Sequence, residues 1–246
     1  MRIFIAVALA VCSVVAAADP VRVFMLSGSD EYGSKKYLEL WKEKLEKTGA
    51  YACEVLHSPK VSSLPLAEKL ASAQVFVTYT HRFRLDEATL KPIKDWCLAG
   101  KPVIGLRTAS HGYQTWLEFD KLVLGGSYND HGSAPFQVEI HAANKDHPLL
   151  AGVEVWQSRR MYNNQLSTLP AKANVLLAGK DKNKHNAFAW YNEYQLEGGV
   201  KGRAFYCSGG VNEDWAAPGF NRLLDNALAW VQEPVGSASA AAPPSK

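Results

Sequence analysis

Between residues 21 and 106, four apolar segments typical of β-strands alternate with segments typical of helices. This alternation of two periodicities is typical of a parallel sheet with helices on both faces, so it constrains the fold more than any other feature. The strands are predicted over residues 21–26, 51–57, 75–79 and 102–106. The helices are predicted from Ser34 as N-cap to a stop at Gly49, over residues 66–71, and from Asp86 as N-cap to Ala99, where Gly100 closes a helix that Pro92 should kink or delay.

After residue 106 the alternation becomes less regular. Further strands are predicted over residues 136–140, 175–178, 187–191 and 203–207, and the last two could pair as a hairpin across the turn at Gly198 and Gly199. A final helix begins at Pro218 and directs apolar residues up to Trp230 toward the core. We therefore predict one α/β domain over residues 19–234, with a mainly parallel sheet.

The two ends of the chain differ in composition from this domain. Residues 1–18 combine a positive start, an apolar run from Ile3 to Val15 and three alanines, which is the pattern of a secretion signal. The run is too short to span a bilayer, so we expect a secreted or periplasmic protein without a stable membrane anchor. Residues 235–246 are rich in Gly, Ser, Ala and Pro and are predicted to form a disordered tail.

The charge balance excludes one class of partner. The formal net charge is +3, and removing residues 1–18 with their single Arg leaves +2. No run of Lys or Arg marks a nucleic-acid surface, so we expect no nucleic-acid partner. The sequence leaves a homo-oligomer possible. Cys53, Cys97 and Cys207 lie in apolar segments, so we interpret them as buried residues, although one disulfide in an oxidising compartment stays open.

Ligands of open parallel sheets collect at the carboxyl ends of the strands. Residues 29–32, 80–84, 107–113 and 208–215 follow predicted strands and should therefore meet in space. The richest of these segments offers the guanidinium of Arg107, the hydroxyls of Thr108 and Ser110, and the imidazole of His111. A serine hydrolase ranks last, because residues 108–112 lack the first glycine of the Gly-x-Ser-x-Gly elbow.

Histidines and aromatic residues in loops suggest the chemistry of the site. His111, Arg107 and His131 are the candidate catalytic residues, and Asp130 could join the histidines as a ligand of a divalent metal such as zinc, although the spacing does not settle the cofactor. Aromatic faces stack on sugar rings while polar groups bond the hydroxyls, so we predict a small-molecule carbohydrate as partner. At least half of the loop aromatics are expected to be core residues. The candidate substrate-binding residues are Asp30, Tyr32, Thr108, Tyr113, Trp116, Tyr128 and Trp215.

Five segments together carry a family resemblance. They are residues 100–108 with His111, 124–131, 146–149, 202–206 and 215–230. In this order they resemble the trehalose-utilisation (ThuA-like) family, within the superfamily of class I glutamine amidotransferase-like folds, from Val21 to about Gln232. The resemblance implies a flavodoxin-like three-layer α/β/α sandwich and a link to carbohydrate metabolism, often in exported proteins.

The resemblance does not imply glutaminase chemistry. Amidotransferases have a cysteine two residues after the glycine that corresponds to Gly105, and this chain has Arg107 there. An arginine cannot replace a thiolate nucleophile. We therefore expect an enzyme acting on a sugar or an oxidised (keto) sugar derivative, with His111 or His131 as acid/base and Arg107 orienting an oxygen. The alternative is a non-catalytic carbohydrate-binding module on the same fold.

Overall fold

The computed structural model describes residues 18–58, 64–180 and 185–236, which form one mixed sheet with helices on both faces. The strands of this sheet are β1 (Val21–Gly28), β2 (Tyr51–His57), β3 (Val75–Thr80), β4 (Val103–Leu106), β5 (Pro135–Ile140), β6 (Gln157–Arg159), β7 (Val175–Lys180), β8 (His185–Tyr194) and β9 (Gly202–Cys207). The helices are α1 (Ser34–Glu46), α2 (Leu66–Ser72), α3 (Glu87–Leu98), α4 (Asn212–Ala216) and α5 (Pro218–Trp230). The predicted strands and long helices are thus present.

The sheet is mixed, so the prediction of a mainly parallel sheet is wrong. Its order is β2-β1-β3-β4-β9-β8-β7-β5-β6. The pairings from β2 to β9 are parallel, whereas those from β9 to β6 are antiparallel. The predicted β8–β9 hairpin is confirmed, and the following antiparallel pairings extend from it. Only a few residues separate β7 from β8 and β8 from β9, and such short connections favour antiparallel neighbours.

The two faces of the sheet bury separate apolar clusters. Val23 and Met25 point to the face covered by α1 and α5, where they join Trp41 and the apolar side of α5. Phe24 and Leu26 alternate with them and point to the face covered by α2 and α3. Burial on both faces explains why β1 and β3 appear in the sequence as nearly continuous apolar runs.

Local signals place the helix ends close to the predicted positions. Asp86 caps α3 by accepting a hydrogen bond from the Thr89 N–H at 2.7 Å, and the helix runs through Pro92 to Leu98. Ser34 is the first residue of α1 rather than its N-cap, because Gly33 takes that position with a φ of 61°. The Ser34 hydroxyl instead accepts a hydrogen bond from the Ser29 N–H at 2.9 Å, which fixes the turn after β1.

The predicted signal peptide lies outside the described residues except for Ala18, and the predicted tail does so beyond residue 236. Across the described part of the chain, no helix combines the length and apolar character needed to cross a bilayer.

Candidate functional site

Arg107 follows β4 directly and forms a sharp turn at the carboxyl edge of the sheet. Its φ is 45°, in the left-handed region, and a 3-10 helix then continues to His111. The side chain is fully buried, with Nη1 donating to the Ser208 carbonyl at 2.6 Å and Nη2 donating to the Arg160 carbonyl at 3.2 Å. The Tyr206 hydroxyl donates to the Arg107 carbonyl at 2.6 Å. The geometry of a nucleophile elbow is therefore present with an arginine as its central residue.

Two tyrosine rings enclose the guanidinium of Arg107. Its Cζ lies 4.4 Å from the ring centroid of Tyr32 and 4.5 Å from that of Tyr162. These contacts are within the range of cation–π attraction, which is strongest where water is excluded. Arg107 has no surface open to solvent in this structure, and its predicted role in orienting a substrate oxygen stays a prediction. Arg107 holds together the segments that follow β1, β4, β6 and β9.

His111 lies at the end of the same turn and is the central ring of a cluster of four aromatic side chains. We use "aromatic cup" for His81, His111, Tyr128 and Tyr162. The His111 ring is 8% exposed, stacks on Tyr128 at 4.3 Å with an interplanar angle of 15°, and meets His81 edge-on at 5.3 Å. Its Nδ1 is 3.1 Å from the Ser110 hydroxyl. The ring is thus held in one orientation by stacking and by a hydrogen bond.

The surroundings keep the His111 imidazole neutral. Burial is the largest cause that lowers the pKa of His111, and the positive field of His81, Arg82 and Arg107 lowers it further, to about 3. Burial and Arg82 also lower the pKa of His81. Both rings are therefore uncharged at neutral pH, so His111 can accept a proton or a hydrogen bond from a ligand.

A buried carboxyl group fastens the loop that carries Tyr128. The Asp120 carbonyl accepts from the Gly126 N–H at 2.8 Å, and its carboxyl Oδ2 accepts from the Tyr128 N–H at 3.0 Å. Between them, the Ser127 N–H donates to Asn164 Oδ1 at 3.2 Å. Burial raises the pKa of Asp120 to about 7. Asp120 thus positions the tyrosine that stacks on His111.

Two more arginines with left-handed backbone lie near the aromatic cup, on the surrounding surface that we call the rim. Arg82 has a φ of 54° and Arg160 a φ of 56°, and with Arg107 they are the non-glycine residues of positive φ within the described ranges. Arg160 forms an ion pair with Glu31 and donates to the Tyr32 hydroxyl at 3.2 Å. Burial alone would raise the pKa of Glu31, but the hydrogen bond and charge of Arg160 outweigh it and lower the pKa.

Two cavities flank different parts of the sheet. A cleft of about 420 Å³ lies beside the rim and is lined by Tyr32, Arg160 and residues of the segment after β9. A cavity of about 540 Å³ lies between α1 and α5, where Tyr51 and Arg222 are among its lining residues. The first cavity adjoins the Arg107 turn, whereas the second is formed by helix surfaces on one face of the sheet.

The segment after β9 is organised by Asp214. Its carboxylate accepts from the Gly210 N–H at 2.6 Å, the Val211 N–H at 3.0 Å and Trp156 Nε1 at 2.8 Å, and burial raises its pKa. Trp215 stacks on Tyr37 at 5.1 Å and donates from Nε1 to the Gly210 carbonyl at 3.1 Å. Trp215 therefore packs against the protein, and its predicted role in binding a ligand has no support from its position.

Several other predicted site residues also lie away from the aromatic cup. Tyr113 is buried against Phe119, and its hydroxyl is 2.7 Å from that of Thr78, while Trp116 packs on the same Phe119. Thr108 is 1% exposed. Burial therefore removes Tyr113 and Thr108 from contact with a ligand, and Trp116 belongs to the packing of the α2–α3 face.

Three predicted residues lie in or near the rim. Tyr32 contacts Arg107, His131 is exposed with its ring 6.1 Å from that of Tyr162, and Asp30 lies 3.3 Å from His57 Nε2. His131 Nδ1 is 3.8 Å from Asp130 Oδ1.

Metal binding and thiol chemistry each require particular side chains in suitable positions. Among the residues that the structure describes, no group of three His, Cys, Asp or Glu side chains is suited to hold a metal ion. His131 and Asp130 alone would leave half of a tetrahedral zinc coordination sphere to other ligands. Cys53, Cys97 and Cys207 are buried free thiols whose pKa values are raised by burial. None of these three cysteines is an accessible thiolate.

Sequence reasoning missed several residues that build the site. His81 lies in a segment that was expected at the site, but a single histidine gives no signal of its own. Tyr162 and Arg160 follow the three-residue strand β6, which is too short to show a period in the sequence. Asp120 lies in a π-helical turn over residues 120–124, where no sequence pattern distinguishes a buried carboxyl group from a solvated one.

The mixed α/β sheet with an elbow after β4 is consistent with the glutamine amidotransferase-like fold. The profile of the ThuA family, described as trehalose utilisation, matches residues 22–231. The chain therefore belongs to the ThuA family, which gives it a carbohydrate-related role. No curated protein shows significant sequence similarity to the chain.

Solved structures share this fold. A putative ThuA-like protein from Parabacteroides merdae is 16% identical with a TM-score of 0.65, and the match covers 91% of this chain and 93% of that protein's chain. A second, from Bacteroides uniformis, is 17% identical with a TM-score of 0.64, covering 89% and 94%. A β-galactosidase from Rahnella sp. R3 is 14% identical with a TM-score of 0.55, covering 85% of this chain but 31% of its own. At these identities the likeness establishes the fold alone.

Proposed function

We propose that this protein acts on a sugar or an oxidised (keto) sugar derivative, with His111 as the group that transfers the proton. The observation that carries the proposal is the neutral His111 ring, stacked on Tyr128 and bonded to Ser110 at the carboxyl edge of the sheet. Proton transfer needs a group that is correctly oriented and able to take up a proton. The His111 imidazole is oriented by its stacking on Tyr128 and its hydrogen bond to Ser110. His131 on the rim is the second candidate for this role.

The surrounding residues would bind and orient the sugar. Tyr128 is partly exposed and lies over the His111 ring, so its edge and hydroxyl can contact a ligand that enters the aromatic cup. Tyr32 lies beside the adjoining cleft of about 420 Å³. Arg107 acts through these residues, because its guanidinium holds the Tyr32 and Tyr162 rings on either side.

Cysteine glutaminase chemistry is not part of the proposal. Arg107 occupies the turn where a nucleophilic cysteine would lie, and a buried guanidinium cannot attack a carbon atom. The buried thiols of Cys53, Cys97 and Cys207 are protonated at neutral pH because burial raises their pKa values.

One observation favours the alternative of a non-catalytic carbohydrate-binding module. A pKa of about 3 makes His111 a weak base in the unliganded protein, well below the neutral range in which general bases work best. A binding module would need only the stacking and hydrogen-bonding capacity of the aromatic cup. Binding and turnover must therefore be measured separately.

The test uses the purified protein with a panel of sugars and keto-sugars, with and without added divalent metal. We expect turnover by the wild type, and a loss of about 10²-fold or more for His111→Gln with binding changed only a few-fold. His147→Gln is the matched control, because His147 is another histidine stacked on a tyrosine, half-buried and at the opposite edge of the sheet. Binding without turnover in any condition would establish the alternative, and neither binding nor turnover would refute both.

We further propose export of the protein, which rests on the sequence of residues 1–18. N-terminal sequencing of the protein recovered from its native host tests this proposal. A mature chain that begins near Asp19 is expected, and an intact N-terminus on the accumulated protein would contradict it.

A further inference from the structure

Arg82 is an exposed arginine beside the aromatic cup whose charge is not paired by any residue that the structure describes. Its backbone N–H donates to the His111 carbonyl at 3.3 Å, which fixes its position next to the cup. Within the described residues, its side chain takes part in no hydrogen bond or ion pair, in contrast to Arg160, which pairs with Glu31. The hydrogen-bond donors of the Arg82 guanidinium are therefore open to solvent next to the aromatic cup.

The backbone at Arg82 is held in an unfavourable conformation. A φ of 54° is left-handed, which costs a residue other than glycine about 1–2 kcal/mol. Neighbouring hydrogen bonds enforce it, since the His81 N–H donates to the Gly28 carbonyl at 3.1 Å and the Phe83 N–H donates to the Gly112 carbonyl at 2.6 Å. Such strain concentrates at functional sites. Glycine would relieve it, so an arginine here indicates a use for the side chain.

The charges around the cup leave a positive excess at Arg82. Glu31 is bound by Arg160, Asp130 lies beside His131, and Asp120 is buried under the Tyr128 loop. Arg82 acts on the cup itself, because its charge helps to lower the pKa values of His111 and His81 and opposes the rise that burial causes in the pKa of Tyr128. An anionic ligand bound at the cup would supply the counter-charge that no described residue provides there.

We propose that the natural ligand is a sugar acid, whose carboxylate binds the Arg82 guanidinium while its sugar portion lies against His111 and Tyr128. This inference rests on the proposed function, since it names the class of sugar. The planar fork of arginine matches a carboxylate with two parallel hydrogen bonds. One unpaired guanidinium also balances one negative charge, which favours a carboxylate over a phosphate dianion.

The experiment compares sugar acids with uncharged counterparts by isothermal titration calorimetry at pH 7 and low salt. The pairs are D-glucuronate with D-glucuronamide and D-gluconate with D-glucitol, and D-glucose 6-phosphate is a third ligand class. At least one acid is expected to bind the wild type roughly tenfold more tightly than its neutral partner, because hydrogen bonds between charged groups are stronger than neutral ones. Added salt should weaken the preference.

Three variants identify the group responsible. Arg82→Gln should abolish the preference for the acid, and Arg82→Lys should keep part of it, since lysine retains the charge but not the fork. Arg84→Gln is the matched control, because it removes the same charge from an exposed residue two positions away and should keep the full preference. Arg82→Gly repeats the loss of charge in a residue that accepts left-handed backbone, which separates lost binding from misfolding.

The outcomes distinguish this inference from the proposed function. Equal binding of acids and neutral sugars, unchanged in Arg82→Gln, would overturn the sugar-acid inference and leave a carbohydrate site in place. Binding of none of these ligands, or of any other sugar, would overturn both. Tighter binding of D-glucose 6-phosphate with the same dependence on Arg82, or equal competition by acetate, would overturn the choice of a sugar carboxylate.

Discussion

The turns after β3 and β4 each contain an arginine with left-handed backbone, yet the two side chains have opposite surroundings. Arg107 is fully buried, donates to two carbonyls and lies between two tyrosine rings. Arg82 is exposed, and within the described ranges its guanidinium has neither a hydrogen bond nor an ion pair. In the turn after β4, side-chain contacts within the protein compensate the backbone strain of Arg107, whereas in the turn after β3 the described residues offer Arg82 no such contacts.

This difference separates a structural arginine from a functional one. Removing Arg107 would disturb every segment that the guanidinium joins, so the stability of the site depends on it. Removing Arg82 would leave the packing unchanged and alter only what the site attracts. Substitutions of Arg107, His111 and Arg82 test this contrast, beginning with the one of largest expected effect.

We expect Arg107→Met to lower the free energy of unfolding by about 3 kcal/mol. The substitution leaves the buried Ser208 and Arg160 carbonyls without these donors, and each such loss costs about 1–3 kcal/mol. Urea denaturation measures the change. Arg159→Met is the control, because Arg159 forms an exposed ion pair with Glu213, and we expect an effect below about 1 kcal/mol. Equal effects of the two substitutions would refute a structural role for Arg107.

His111 links the two turns and should make stability depend on pH. Its folded-state pKa lies below the usual value of 6.5, so the unfolded chain binds the proton more readily, and stability is lost as the pH falls below about 6.5 toward 3. We expect a loss of about 3 kcal/mol between pH 7 and pH 4, measured as the difference from His111→Phe, which keeps the stacked ring but cannot titrate.

The His111 titration also measures the charge of Arg82. Because the Arg82 charge helps to lower the pKa of His111, Arg82→Gln should raise it, and NMR titration of the imidazole would follow the change. An unchanged pKa in Arg82→Gln would place the guanidinium too far from the cup to act there. A difference between wild type and His111→Phe that does not vary with pH would contradict the burial of a neutral imidazole.

Substitution by glycine should change stability in opposite directions in the two turns, and the change at Arg82 is the smallest that we expect. Arg82→Gly should stabilise the protein by about 0.5 kcal/mol, because relief of the left-handed backbone exceeds the entropic cost of glycine in the unfolded chain. Arg107→Gly relieves the same strain but should destabilise strongly, since the buried contacts are lost. Thermal unfolding of both variants measures this contrast. Destabilisation by Arg82→Gly would show that the Arg82 side chain has structural contacts.

The parallel half of the sheet was predictable because its signals are local. Apolar runs define β1 to β4, Asp86 caps α3, and Pro218 begins α5 within the sequence itself. The antiparallel half was predicted only in part. Gly198 and Gly199 indicate the β8–β9 hairpin, but the pairing of β5 with β7 and β6 joins segments that are distant in sequence.

The site shows the same division between local and distant information. The elbow at residues 107–111, with His111 at its end, was expected from a strand that runs into polar residues. Tyr113 and Trp116 follow in the same segment, but the chain turns them toward the α2–α3 face, where they pack on Phe119. Loop aromatics cannot be divided into ligand-binding and core residues by sequence, because burial depends on what packs over them.

The sequence alone determined the α/β architecture, the family and the replacement of a nucleophile by Arg107. These depend on residue type and on short-range spacing, which the chain carries wherever it folds. Only the tertiary structure decided that Arg107 is buried while Arg82 is exposed, that His111 is neutral, and that Asp120 holds the Tyr128 loop. Burial and electric field are sums over neighbours from the whole chain, so they arise only when the segments meet.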